Sequence, residues 1–171
     1  VVVGAAWIVA TDEGQRQVAI FAARFAPRRH SVLCNGGLDV LMVGMKEYFN
    51  HPERPPAPGK LASAVRCGPW FYVSGQGPLD LKTQEYRSGT IEEETALTLS
   101  YIERLVVQAG GKKSDIIKCT CYLNDLGDFP GFHKAFQQFF AGLQLPARTT
   151  VGATLLHGIK VEIDAVAYIE S

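Results

Sequence analysis

Apolar and polar positions fall into two distinct rhythms along this chain. From 159 to 168 they alternate. Ile159, Val161, Ile163, Ala165 and Ala167 share one side, and Lys160, Glu162, Asp164 and Tyr168 share the other, which is the period of a half-buried strand. Leu61 to Cys67 and Trp70 to Ser74 are two short β-prone runs split by Gly68-Pro69, a turn signal. Ile117, Cys119, Cys121 and Leu123 alternate with Lys118, Thr120, Tyr122 and Asn124, and Thr149 to Val151 forms another β-prone run directly after Arg148. Between these lie two stretches of helical spacing. Leu99, Ile102, Val106 and Ala109 recur behind Thr90-Ile91-Glu92-Glu93 and stop at Gly110-Gly111, so a capping box opens this helix and a glycine pair ends it. Asp128 and Pro130 open the second helix, whose stripe is Phe129, Phe132, Phe136, Phe139 and Phe140. An aromatic stripe at this spacing reads as core.

The resulting order is β-β-α-β-α-β-β. Two helices on one face of a mixed sheet make an α+β fold. The polar side of the last strand also carries Val166 and Tyr168. That mixed face is expected to be covered by other copies of the chain in a homo-oligomer.

The front of the chain is different in character. Val1 to Ala10 is almost unbroken apolar sequence, Thr11-Asp12-Glu13-Gly14 reads as a turn, and Gln17 to Phe25 is apolar again. A hairpin and a strand followed by a helix fit equally. Arg24, Arg28, Arg29 and His30 follow, then Asn35-Gly36-Gly37. Residues 51–59, HPERPPAPG, hold four prolines and read as an extended linker. Residues 1–56 are therefore expected to be an N-terminal extension, with the working domain at 57–171. Three origins stay open for the extension: a segment packed on the domain, a targeting peptide, or upstream sequence ahead of a start at Met42 or Met45.

Bulk numbers narrow the function. At 171 residues, 47% apolar and 20% charged, the chain suits one soluble domain with a proper core. Its formal net charge is zero, so no overall basic field supports a nucleic-acid partner. Cys34, Cys67, Cys119 and Cys121 form no CxxC. Cys119 and Cys121 read as small apolar core residues, and the absence of a disulfide framework fits a reducing compartment, the cytoplasm. His30, His51, His133 and His157 lack metal-binding spacing, and no apolar run is long enough to span a membrane.

Five segments then carry a resemblance. VSGQGPLDLKT (73–83), QAGG (108–111), SDIIKCTCYLNDLGDF (114–129), LPAR (145–148) and KVEIDAVA (160–167) together resemble the RidA/YjgF family of reactive enamine/imine deaminases, over residues 57–169. The resemblance implies a chorismate-mutase-like homotrimeric barrel with helices outside and sites in the clefts between subunits. It also implies hydrolysis of short-lived enamines and imines such as 2-aminoacrylate to 2-keto acids and ammonia, with no cofactor and no metal.

Residue by residue, Arg148 matches the arginine that binds the substrate carboxylate, a role suited to a planar fork that stays charged. Glu162 matches the glutamate that positions or activates water. Ser74 and Gly75 match the pocket-lining SGQ turn. Thr150 stands where many members carry a cysteine, which removes any thiol nucleophile at that place. Leu61 replaces a tyrosine that closes the pocket in many members. His133 stands where a common member has asparagine, and would donate a proton if it reached the cleft. The bland readings are an interface salt bridge for Arg148 and an ion pair with Lys160 or Arg148 for Glu162.

Three functions follow for comparison. The first is an enamine/imine deaminase, which needs Arg148 and Glu162 to converge on one ligand or water. The second is a non-catalytic sensor that binds small carboxylic acids in the cleft. The third, RNA cleavage, is weakest, since the sequence has no basic stripe and no acid–base pair for ribose chemistry.

Overall fold

Alternating strands and one-sided helices assemble as the pattern requires. The computed structural model describes residues 9–10, 16–17, 46–54, 59 and 61–170. The chain divides into two units, Val1–Val40 and Leu41–Ser171. In the first, β1 (Val9–Ala10) and β2 (Arg16–Gln17) pair antiparallel, with Val9 opposite Gln17. At these four residues the hairpin reading is the one found. Residues 1–8, Arg24 to His30, Cys34, Asn35 to Gly37, Met42, Met45 and 55–58 lie outside the described residues.

The second unit holds β3 (Lys46–Phe49), β4 (Ala64–Cys67), β5 (Trp70–Gln76), α1 (Ile91–Gln108), β6 (Ile116–Leu123), α2 (Phe129–Phe139), β7 (Ala147–Gly152) and β8 (Val161–Tyr168). Its six strands form one sheet in the order β3-β4-β5-β8-β6-β7. All neighbours are antiparallel except β6 and β7, which are parallel. The sheet is therefore mixed, as expected for an α+β chain. Its first strand comes from before the 56/57 boundary that the sequence suggested. Lys46 pairs with Cys67 and Phe49 with Ala64, and the Phe49 ring meets buried Phe71 edge-on at 5.2 Å. Phe49 is the β3 residue that packs on the core, while Tyr48 stays exposed.

Thr90 and Glu93 cap α1 as the sequence predicts. The Thr90 side chain accepts from the Glu93 N–H at 3.2 Å, and the Glu93 carboxylate accepts from the Thr90 N–H at 2.9 Å. At the far end, Gly110 turns left-handed at φ 86° and the Gly111 N–H returns to the Val106 carbonyl at 2.9 Å, closing the helix. Pro130 occupies the first turn of α2, where its missing N–H costs nothing.

Leu99, Ile102, Leu105 and Val106 from α1, Phe132 and Phe136 from α2, and Phe140 at its C-terminal cap meet Phe71, Cys119, Cys121, Val161, Ile163 and Ala165 in one core. Two details depart from the pattern. Phe129 is 39% exposed, since it heads the helix and leaves the packed stripe. On β6 the register shifts between Ile116 and Lys118, so Ile116 is buried and Ile117 is not. A bulge of this kind adds one residue and changes which side chain faces inward. The opposite face of the sheet carries exposed Trp70, Tyr72, Val151 and Tyr168. No helix among the described residues is long and apolar enough to cross a membrane.

Candidate active site

The local geometry begins at an irregularity in β5. Pairing with β8 shifts between Val73 and Gln76, which turns Ser74 and Gly75 outward while Val73 and Gln76 stay buried. Ser74 is held firmly in place. Its N–H donates to the Ser63 carbonyl at 3.0 Å and its hydroxyl to the Ala62 carbonyl at 2.8 Å. Bulges of this kind re-aim backbone beside functional groups. Here the group is Glu162: a Cβ built on Gly75 would sit 2.3 Å from Glu162 Oε1. Glycine at 75 lets the carboxylate lie against the strand.

Glu162 is half-buried on the uncovered face of β8. Burial raises its carboxyl above the ordinary range, and the nearby charge of Asp164 raises it further. Asp164 accepts from the Tyr122 hydroxyl at 3.2 Å. The bland partners for Glu162 are engaged elsewhere. Lys160 Nζ lies 3.8 Å from buried Glu94, whose carboxylate also accepts from the Lys160 N–H at 2.7 Å. That second bond ties α1 to the start of β8. Arg148 bonds to His133.

Beside Glu162 opens a cavity of about 120 Å³ lined by Arg54, Gly75, Gln76, Gly77, Tyr86 and Glu162, among others. Gln76 Oε1 lies 3.1 Å from Nε2 of His51, which is buried. Burial first of all lowers the His51 pKa. The segment read as a linker thus contributes His51 and Arg54 to the sheet's surroundings. Their signal in the sequence was a histidine and an arginine set among prolines, which composition alone cannot tell from a solvated tether.

A second group forms at the other edge of the sheet. Arg148 on β7 points to the helix side. Its guanidinium lies over Phe132 at 5.2 Å and Phe136 at 4.8 Å, and its Nη1 donates to His133 Nδ1 at 3.1 Å. Arginine has no acceptor, so Nδ1 accepts and the ring's other nitrogen is left as its donor. The His133 ring stacks on Phe129 with centroids 5.6 Å apart and planes nearly parallel. Thr150 follows on the same side of β7, in register with Cys121, as Arg148 is with Cys119. Burial, above all, pushes both of these thiols up to about 12, so neither supplies a thiolate.

Ser74, Gly75 and Glu162 therefore come together, and so do Arg148, His133 and Thr150. Within one chain the two groups do not meet. In β8, Val161 and Ile163 face the helices and Glu162 faces away, whereas Arg148 lies against the helix rings. Leu61, 87% exposed, belongs to neither group. Among the described residues there is no cluster of histidine, cysteine or carboxylate side chains suited to a metal ion.

Gly75→Ala tests the first group. The added methyl meets the flexible end of Glu162, so the fold is expected to survive while the carboxylate is displaced. Turnover in any reaction that uses this carboxylate should fall about 100-fold, the effect of a misplacement of roughly 1 Å, with an unchanged circular dichroism spectrum. Retained activity would mean that the position of Glu162 does not matter.

A mixed sheet backed by two helices is the architecture of small α+β proteins of the Rid type. The chain belongs to the Rid (YjgF/RidA) family, and its residues 51–169 match the family model described as Endoribonuclease L-PSP. It is 34% identical over 127 residues to RutC family protein PH0854 of Pyrococcus horikoshii, covering 74% of this chain and 100% of that protein. It is 32% identical to the 2-iminobutanoate/2-iminopropanoate deaminase of Dermatophagoides farinae, covering 73% of this chain and 98% of that one. Among solved structures, Escherichia coli TdcF with bound serine superposes with a TM-score of 0.66 at 30% identity, covering 72% of this chain and 99% of TdcF.

Proposed function

We infer that this chain is a hydrolytic deaminase of reactive enamines and imines of 2-aminoacrylate type, acting in the cytoplasm as a homotrimer without cofactor or metal. The observation that carries the reading is Glu162: a carboxyl of raised pKa, laid on a glycine, with no ion-pair partner among the described residues. Such a group accepts a proton from water near neutral pH. Relatives named as deaminases support the reaction class, and the serine bound to TdcF carries the carboxylate and amine carbon that such a substrate shares.

Assembly resolves the separation of the two groups. The exposed Trp70, Tyr72, Val151 and Tyr168 pack against neighbouring copies, and Glu162 of one copy then faces Arg148 of the next across a cleft. Arg148 holds the substrate carboxylate. The enamine tautomerises to the imine. Glu162 takes a proton from water as its oxygen bonds to the imine carbon and the C=N π pair moves to nitrogen, and Glu162 then passes that proton to the nitrogen. Glu162 next takes the hydroxyl proton of the carbinolamine and gives it to the amine nitrogen as the C=O bond forms and the C–N bond breaks. Imine and water become keto acid and ammonia, and Glu162 returns to its starting state. Ser74 and Gly75 line the cleft on one side, Thr150 on the other.

The test is to generate 2-aminoacrylate in situ with a dehydratase, with semicarbazide competing for it. Keto-acid release above the uncatalysed rate, from a species that sediments as a trimer, is the expected result. Tight binding of keto acid without any acceleration would instead establish the sensor.

A further inference from the structure

The cavity beside Glu162 has a second charged pole, and two unusual backbone conformations frame it. Arg54 lines the wall together with Glu162, Gln76 and Tyr86. Gln84 holds the Arg54 side chain in place: Arg54 Nε donates to Gln84 Oε1 at 3.3 Å, and Gln84 Nε2 donates to the Leu81 carbonyl at 2.7 Å. Gln84 does this from a left-handed backbone, φ 64°, a region where glycine is at ease and a glutamine is strained. Behind Tyr86, His157 is left-handed too, at φ 61°, and stacks on the tyrosine ring at 4.5 Å and 17°. Among the described residues these two are the non-glycine positions with positive φ, and both brace a wall of the same cavity. Strain of this kind clusters where a wall must be held for a ligand.

What such a wall would recognise follows from its chemistry. The guanidinium spends one N–H on Gln84, which leaves the fork of its terminal nitrogens, the geometry that matches a carboxylate. About 120 Å³ holds a short acidic side chain and little more. We propose that Arg54 is a specificity-determining residue that binds a second carboxylate, so that the preferred substrates are imines of acidic amino acids. This rests on the deaminase reading: Arg148 takes the carboxylate next to the imine carbon, Glu162 serves that carbon, and Arg54 takes the acid at the far end of the side chain.

The experiment compares dicarboxylic imines, made in situ by oxidation of aspartate or glutamate, with the monocarboxylic imine from 2-aminobutyrate. Wild type is expected to show the higher kcat/KM on a dicarboxylic imine. In Arg54→Met the ratio of dicarboxylic to monocarboxylic kcat/KM should fall roughly 10- to 100-fold, the worth of a charged hydrogen bond, and Arg54→Lys should recover part of it. Gln84→Gly, relaxed in its backbone but without the latch, should lose part of the ratio at unchanged or higher Tm. No preference in wild type, or equal slowing of all imines by Arg54→Met, overturns the assignment. Where wild type accelerates no imine at all, the deaminase reading fails by itself. Titration with 2-oxobutanoate and 2-oxopentanedioate then decides: tighter binding of the diacid, lost in Arg54→Met, keeps Arg54 as the acid-binding residue, and equal binding removes it.

Discussion

Arg148→Ala is expected to cost roughly 2–5 kcal/mol in transition-state stabilisation, a loss of about 30-fold to several thousandfold in kcat/KM. The guanidinium lies on the Phe132 and Phe136 rings and spends one donor on His133, so its orientation is fixed before substrate arrives. The substrate carboxylate keeps its charge throughout the reaction, so the loss should fall mainly on KM. Alanine also removes the packing over the rings. Arg148→Lys therefore accompanies it: lysine restores the charge as a point but not the fork, and is expected to recover only part of the activity. Full recovery would mean that charge alone suffices. The placement of Arg148 and Glu162 on opposite sides of the sheet adds a sharper test. Mixing Arg148→Ala with Glu162→Gln under conditions of subunit exchange, assayed at substrate well below the wild-type KM where each variant alone is slow, should restore about a quarter of wild-type activity, since each site would draw its two groups from different copies. No restoration would sink the shared-cleft reading.

Much of this architecture was legible because period and punctuation agreed. The alternation in β8, the Thr90–Glu93 box and the Gly110 stop each rest on one local rule, and each appears as the rule states. The misses lie where tertiary structure decides. Ile117 follows the alternation but is exposed because a bulge adds a residue. His51 and Arg54 sit among prolines that read as a tether, yet His51 is buried against Gln76, and β3 before them joins the sheet. Edge pairing across a proline-rich stretch leaves no periodic trace. At the site, Glu162 and Arg148 could be singled out by residue type and resemblance. That they face opposite sides of the sheet depends on the register of β6, β7 and β8, which no single strand reveals. The role of Gly75 is likewise a matter of close approach, visible once Glu162 lies beside it.

Glu162→Gln separates chemistry from structure by opposite signs. A general base contributes about 100- to 10,000-fold, so in the role proposed for Glu162 the variant should lose that much in kcat with little change in KM. Stability should move the other way. The folded protein holds the Glu162 proton more tightly than the unfolded chain does, since burial and then Asp164 raise its pKa. The protonated form is thus favoured on folding: its contribution is complete below the unfolded carboxylate pKa and is lost as pH rises through the higher folded value. Glutamine mimics the protonated form at every pH. Above that window Glu162→Gln should melt at a higher temperature than wild type, and below it the two Tm values should converge. The rate profile of wild type should share the same acid limb, falling as Glu162 protonates, with its inflection above the ordinary carboxylate range. A variant that is less stable at neutral pH would identify Glu162 as a paired structural carboxylate. A gain in stability with the loss of kcat is what a site carboxylate, held ready at a cost to the fold, requires.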